Sequence, residues 1–182
     1  MLTKQSKDGD MIKITGVILC VLGCTGYGML KISAWNKSVE ELQQWILMFR
    51  KMKSLIYYQR EIMEEICEQM NGDIYGLGGR YVAKIGELAK YRREKSFDII
   101  WKEQLSKWKK ESFLPKNIKN VICNFAEYTG ETVYELQISF LDMYISNLEK
   151  EKYMLEKQIY EKKKPVMAIS LIGGMVISIL LL

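Results

Sequence analysis

The sequence contains no histidine, only two prolines, and four cysteines without a CxxC pair. Histidine is the commonest general base and the commonest ligand of transition metals, so its absence argues against both kinds of site. A structural zinc site usually needs closely spaced cysteine or histidine ligands, which this chain lacks. We therefore expect a protein that is not an enzyme and has no metal, no cofactor and no small-molecule substrate. Cysteines scattered in this way are typical of a reducing compartment.

The sequence also carries only weak signals for binding nucleic acid or nucleotides. The net charge is +5, and the basic residues are interleaved with glutamates along predicted helices, which is typical of a solvated face. Trp101 and Trp108 would suit a stacking platform for bases, but at helical spacing they are predicted to be core or membrane-facing residues. The segment Gly76–Gly79 lacks the lysine and the hydroxyl residue of a phosphate-binding loop and is predicted to be a turn. No nucleic-acid partner is expected.

What the sequence does contain is an uncharged apolar run near each end. Ile14–Leu30 and Pro165–Leu182 carry no charged residue, and each is at the short end of what crosses a hydrocarbon layer. Since a bilayer offers backbone groups no other partners, both runs are predicted to be helices. The alternatives are a cleaved signal peptide for the first run and a buried core helix for the second. The predicted parts are an N-terminal tail (1–10), a transmembrane helix (11–32), a cytoplasmic domain (33–164) and a transmembrane helix (165–182).

A further alternative concerns Cys24. The segment Val21-Leu22-Gly23-Cys24 resembles a bacterial lipobox, in which the cysteine would carry a lipid outside the cytoplasm. Leu22 is a poor match to that motif, and apolar residues continue beyond Cys24 as far as Ile32. A transmembrane helix is therefore the preferred interpretation, while lipidation of Cys24 stays open.

Small residues recur every four positions in both apolar runs. Such a stripe lets two helix backbones approach closely, which is how helices associate within a bilayer. We predict that the two spans pack together or against partner spans, although small residues are also common in membrane helices generally. The stripe residues are Gly16, Cys20, Cys24 and Gly28 in the first run and Ser170, Gly174 and Ser178 in the second.

Basic residues beside the two runs predict the orientation of the chain. Lys162, Lys163 and Lys164 immediately precede the second run, and Lys31 and Lys37 follow the first. Because lysine and arginine accumulate on the cytoplasmic side of membrane helices, we place the middle domain in the cytoplasm. Lysines in the N-terminal tail point the other way, but acidic residues offset them. The three consecutive lysines also suit an anionic membrane surface.

The middle domain begins with a helix start signal. Ser38 and Glu41 have the spacing of a capping box, in which the two side chains satisfy backbone amides of the first turn. A long helix is predicted from there to about Met70, ended by Asn71-Gly72 and followed by a flexible glycine-rich connection. Its apolar residues keep the three-and-four spacing of a coiled-coil seam. They are Val39, Leu42, Ile46, Phe49, Ile56, Met63, Cys67 and Met70.

Three short amphipathic helices and a second long helix are predicted to follow. Ser96 marks the start of the second short helix, Pro115 opens the third, and Gly130 precedes the long one. The seam of this last helix consists of Tyr134, Ile138, Leu141, Ile145, Leu148, Leu155 and Ile159. Because both long helices carry seams and no period-two alternation appears, we predict an all-α antiparallel bundle. Its two long helices are coiled-coil-like, and the two transmembrane helices flank it.

The layout of the chain resembles the stage III sporulation protein AB family, which is similar to the inner-membrane platform protein of type II secretion and type IV pilus systems. Met11–Gly16 is similar to the family's N-terminus, which implies that residues 1–10 are an upstream start. Leu55–Tyr58 resembles the family's Glu-Ile-x-Tyr segment, with Ser54 in place of the acid. The Thr-Pro-Leu that generally follows is replaced by Arg60–Ile62.

The second half of the chain extends the resemblance. Phe125–Gly130 resembles the family's Phe-Gly-x-x-Leu-Gly turn, and Gln137 matches a glutamine of the next helix. Ile172–Ile177, with its leucine tail, is like the family's closing span. The resemblance thus runs from one end of the chain to the other, through order and layout more than through any one motif.

The resemblance implies a structural role. The expected protein is a non-enzymatic platform in the mother-cell membrane around the forespore, where it helps to assemble a secretion-like channel. Its cytoplasmic bundle is then expected to dock a cytoplasmic ATPase and channel proteins. The partner-contact candidates flank the turn before the last helix, and they are Glu127, Glu131 and Gln137. Ordinary helix-end polarity is the alternative explanation of these three residues.

Two other functions stay open at this point. One is a membrane-anchored sensor or regulatory adaptor that uses its helical bundle as a binding module. The other is a small membrane enzyme, which the missing histidine and the lack of polar clusters in the apolar runs disfavour. Neighbouring genes of secretion type would favour the platform over the adaptor. The oligomeric state, including a homo-oligomer, is also open.

Overall fold

The computed structural model describes residues 2–70, 72–91, 95–128 and 134–181. These ranges contain helices and connecting segments but no strand, so the predicted all-α class is confirmed. The helices are α1 (Leu2–Gln59), α2 (Met63–Glu68), α3 (Gly72–Tyr91), α4 (Phe97–Glu111), α5 (Lys116–Asn124), a short 3-10 helix (Phe125–Tyr128) and α6 (Tyr134–Leu181). The chain divides into two compact units, one of residues 1–36 with 156–182 and one of residues 37–155.

In the unit of residues 37–155, α1 and α6 pack antiparallel, as the two seams predict. Arg50 pairs with Glu149, whereas Lys53, farther along α1, pairs with Asp142, which comes earlier in α6. The two helices therefore run in opposite directions. The predicted seam residues that are buried in the core include Leu42, Ile46, Phe49 and Ile56 on α1 and Leu141, Ile145 and Leu148 on α6. Burial of apolar area along both seams is what holds the two helices together.

Aromatic rings fill the centre of this unit. The ring of Phe49 lies 4.7 Å from that of Phe125 and 5.0 Å from that of Tyr144, centroid to centroid. Trp101 on α4 lies 5.2 Å from Phe125, while Trp108 lies 5.0 Å from Trp45 on α1. Both tryptophans of α4 are fully buried, so they are core residues, which is one of the two environments that the sequence predicts for them. Each such pair adds about 0.5–1.5 kcal/mol beyond its buried area.

The first long helix ends earlier than the sequence predicts. α1 stops at Gln59, and Arg60 adopts a positive φ of 52°, so the predicted continuation to Met70 is wrong. The separate helix α2 carries Cys67 into the same core, and Met70 just after it is buried as well. The apolar spacing continues across the break between α1 and α2 because both helices bury apolar residues in the same core. Neither glycine nor proline marks the break.

The predicted capping box at Ser38 and Glu41 is wrong, because α1 does not begin there. The helix begins at Leu2 and passes through both residues without interruption. The two side chains instead bind the α4–α5 connection. Ser38 Oγ donates to the carbonyl oxygen of Phe113 over 2.6 Å. The carboxylate of Glu41 accepts from Trp108 Nε1 and from the backbone N–H of Phe113, each over 2.9 Å. We call these contacts the Glu41 lock.

The glycine-rich segment lies within α3 rather than in a flexible connection. The chain kinks at Gly76, where φ is +58°, and a Cβ there would collide with Gln44 Oε1. A Cβ on Gly78 would lie 2.6 Å from the ring of Trp45. These glycines therefore allow α3 to pack closely on α1.

The predicted starts of the short helices agree with the structure. α4 begins directly after Ser96, whose hydroxyl bonds to the carboxylate of Asp98 instead of capping a backbone amide. α5 begins directly after Pro115. Gly130, predicted to precede the last helix, lies outside the described residues.

The unit of residues 1–36 with 156–182 contains parts of α1 and α6. Ile32 and Ile159 are buried in it, while several large apolar side chains such as Leu19 and Leu22 are exposed. No helix within the described ranges has a stretch long and apolar enough to cross a membrane. The spans predicted at 11–32 and 165–182 fall partly on side chains outside the described set, those of Val17, Cys20, Leu171 and 177–182 among them.

The Glu41 lock makes a stability prediction. Glu41→Ala leaves two donors without an acceptor, the buried indole of Trp108 and the backbone N–H of Phe113. We expect a loss of about 3 kcal/mol in the free energy of unfolding, measured by denaturant titration of the full chain in mild detergent. The matched control is Glu40→Ala, which removes an exposed carboxylate one residue away and should change stability by no more than about 0.5 kcal/mol. Equal effects of the two substitutions would contradict the lock.

Candidate partner-binding groove

A groove of about 870 Å³ runs between α1 and α6 in the unit of residues 37–155. It lies toward Gln59, where α1 ends. Its walls mix charged, hydroxyl, aromatic and apolar side chains, namely Arg50, Lys53, Ser54, Tyr57 and Tyr58 from α1 and Ile138, Asp142, Ile145, Ser146 and Glu149 from α6. We call it the α1–α6 groove.

Two ion pairs join the walls of the groove. Arg50 pairs with Glu149, and Lys53 pairs with Asp142. The paired side chains are partly exposed, so water screens them, and exposed pairs of this kind contribute only about 0–1 kcal/mol each. Since the core rather than these pairs holds the helices together, their charges can be re-paired with a partner at small energetic cost.

Two adjacent tyrosines stand at the rim. Tyr58 is 79% exposed and Tyr57 is 55% exposed, and their rings meet edge to face at 4.9 Å. Large aromatic side chains held at the surface beside charged groups are typical of the residues that dominate protein interfaces. Within the described part of the chain, no three histidine, cysteine, aspartate or glutamate residues are grouped to hold a metal ion. The arrangement is suited to recognition of a protein surface.

Of the predicted contact residues, the two that the structure describes, Glu127 and Gln137, are not among those that line the groove. Glu127 on the 3-10 helix pairs with Lys102 of α4 at 2.8 Å, and the hydrogen bond and charge of Glu127 raise the pKa of Lys102. Gln137 is half-buried on α6, one residue before Ile138, which does line the groove. Glu131 lies outside the described residues.

The small-residue stripes meet at one described position. A Cβ placed on Gly28 would lie 2.8 Å from Ser170 Oγ and 3.2 Å from Ser170 Cβ, so α1 and α6 approach closely there. Ser170 Oγ donates to Val166 O over 2.8 Å. A Cβ placed on Gly16 would have no described atom of another helix within 4 Å, and Cys24 is half-buried. Cys20, Gly174 and Ser178 lie outside the residues whose surroundings the structure describes. The side chains of Lys162, Lys163 and Lys164 are exposed on α6.

The charged residues of the groove were missed by sequence reasoning, although signals for them exist. Lys53 interrupts the α1 seam, and a charge on a stripe that faces another helix is costly to remove from water unless it is paired. Asp142 and Glu149 are seven residues apart and therefore share one face of α6. For Tyr57 and Tyr58 the sequence offers only a family-like segment, because spacing does not show whether an aromatic side chain is exposed.

Comparison with known proteins identifies one family. The family model described as stage III sporulation protein AB matches residues 13–182. That match covers nearly the whole chain, including both long helices and the α1–α6 groove, and it confirms the resemblance drawn from the sequence. No curated protein and no solved structure was found to match the chain.

Proposed function

The chain belongs to the stage III sporulation protein AB family, and on that basis we propose that it is a non-enzymatic platform of a secretion-like channel assembled during endospore formation. The observation that carries the proposal is the family match over residues 13–182. The helical fold supports it, because a bundle built around two long packed helices offers extended surfaces for assembly.

Membrane anchoring is the first part of the proposal. We place a span at 11–32 and another at 165–182, because the full sequence has an uncharged apolar run in each segment. The lysines at 162–164 support a cytoplasmic location of residues 33–164. In this arrangement the protein is held in the mother-cell membrane around the forespore.

Docking through the α1–α6 groove is the second part. We propose that it receives a cytoplasmic ATPase of the channel, while other surfaces contact channel proteins. The exposed tyrosines supply apolar area with polar tips, and Arg50, Lys53, Asp142 and Glu149 supply charges of both signs. Such a surface favours a protein partner with complementary charges over nucleic acid, which would call for a uniformly basic face.

Affinity capture tests the docking site. From sporulating cells lysed in mild detergent, the unsubstituted chain should recover a cytoplasmic ATPase and channel proteins. The double substitution Tyr57→Ala with Tyr58→Ala removes the exposed rim and should lower recovery of the ATPase at least about tenfold, since interface aromatics carry much of the binding energy.

The matched control for this capture is Tyr91→Ala, which removes a tyrosine of α3 that is 77% exposed and lies outside the groove. Its recovery of the ATPase should equal that of the unsubstituted chain. Equal recovery by the double variant would overturn the groove as the docking site. Recovery of a kinase or another regulator instead of an ATPase would favour a membrane-anchored sensor or adaptor.

The proposed topology needs an engineered cysteine. Cys67 and Cys123 are buried, and burial raises the pKa of both thiols, so neither reacts readily in the folded chain. We therefore choose Lys107→Cys, an exposed position on α4. A membrane-impermeant maleimide should label this variant only after the cells are permeabilised. The unsubstituted chain provides the background, and labelling of the introduced thiol in intact cells would place the domain outside the cytoplasm.

A further inference from the structure

The connection between α4 and α5 exposes an aromatic ring between two buried residues. Phe113 is 52% exposed, whereas Ser112 and Leu114 on either side are buried. A single phenylalanine at a surface is ordinary. Phe113 differs in that hydrogen bonds hold its backbone in place and a lysine lies beside its ring.

The backbone around Phe113 is fixed on both sides. Its N–H donates to Glu41 Oε2 and its carbonyl oxygen accepts from Ser38 Oγ, so both backbone groups are tied to α1. Lys119 Nζ donates to the carbonyl oxygen of Ser112 over 2.7 Å, and Leu114 N–H donates to Ser112 Oγ over 3.1 Å. The ring of Phe113 therefore cannot turn inward unless the hydrogen bonds of the Glu41 lock break. These bonds hold the ring at the surface.

One lysine contacts the exposed ring, and two more lie close to it along the chain. Lys37 Nζ lies 5.3 Å from the centroid of Phe113, in the range of a cation–π contact. Lys110 near the end of α4 and Lys116 at the start of α5 are both exposed and lie three residues from Phe113 on either side. The nearest acid along the chain is Glu111, which accepts a hydrogen bond from the Tyr81 hydroxyl over 2.8 Å.

An apolar ring with lysines on its margin matches the boundary of an anionic bilayer. The ring enters the acyl boundary, while the long lysine side chains keep their ammonium groups at the phosphates. Lys37 follows the proposed first span by five residues, a stretch of chain that cannot exceed about 18 Å even when fully extended. The site is thus tethered close to the surface that it would bind.

We propose that Phe113, flanked by Lys37, Lys110 and Lys116, is a membrane-interface anchor that contacts anionic lipid headgroups. The site rests on the proposed membrane anchoring and adds a second, peripheral contact made by the helical domain. It sits on a connection that α1 holds, so it fixes the orientation of the domain as well as its attachment.

Photocrosslinking of the full chain in lipid vesicles tests the anchor. Phe113→p-benzoylphenylalanine keeps an aromatic ring at an exposed position and reacts on illumination with whatever lies beside it. In phosphatidylglycerol vesicles, mass spectrometry should find a lipid adduct at position 113. The control is Tyr58→p-benzoylphenylalanine, an even more exposed site at the rim of the α1–α6 groove, which should give no lipid adduct.

The cations are tested in the same assay. Replacing Lys37, Lys110 and Lys116 by glutamine, or exchanging phosphatidylglycerol for phosphatidylcholine, should lower the adduct yield at position 113 several-fold. An unchanged yield after both would overturn the headgroup contact. Crosslinks from position 113 to protein alone would also overturn the anchor.

Resistance to alkaline carbonate extraction separates this inference from the proposed function. If the chain resists extraction but position 113 gives no lipid adduct, the anchor is wrong and the spans stand. If carbonate releases the chain from the vesicles, the proposed membrane anchoring itself is wrong.

Discussion

The packing of Phe49 against Phe125 and Tyr144 is the contact on which the helical unit depends. Phe49 belongs to α1, Phe125 to the 3-10 helix and Tyr144 to α6, and their rings lie within 5.1 Å of one another. Because Phe125 also touches Trp101 of α4, one aromatic cluster ties four elements together. Interiors packed in this way tolerate little displacement, so the cluster fixes the register of α1 on α6.

The two surfaces of functional interest follow from that register. It brings Arg50 opposite Glu149 and Lys53 opposite Asp142, which creates a groove whose charges contribute little to folding. Where α1 enters the unit of residues 37–155, Glu41 accepts hydrogen bonds from the indole of Trp108 and from the backbone of Phe113. These bonds hold the connection that carries Phe113 at the surface. The core thus positions a docking surface near Gln59, where α1 ends, and the proposed membrane contact beside Ser38 and Glu41.

Periodicity predicted the parts of the fold that depend on burial. Leu42, Ile46 and Phe49 on α1, with Leu141 and Ile145 on α6, are buried as their spacing requires. What spacing could not show is how polar groups are satisfied by distant partners. Ser38 and Glu41 have a local capping pattern, but their partner is a connection more than seventy residues away. The end of α1 was missed because Arg60, rather than glycine or proline, takes the positive φ. The groove was missed because it arises from the pairing of two helices.

The register of α1 on α6 is the central claim, and chemical crosslinking measures it most directly. A short bifunctional maleimide should link Arg50→Cys to Glu149→Cys in membranes, with the joined peptides identified by mass spectrometry. The pair Arg50→Cys with Asp142→Cys should link poorly, because seven residues separate the two α6 positions by about 10 Å along the helix. Linking of 50 to 142 in preference to 149 would contradict the register, and with it the groove and its proposed role.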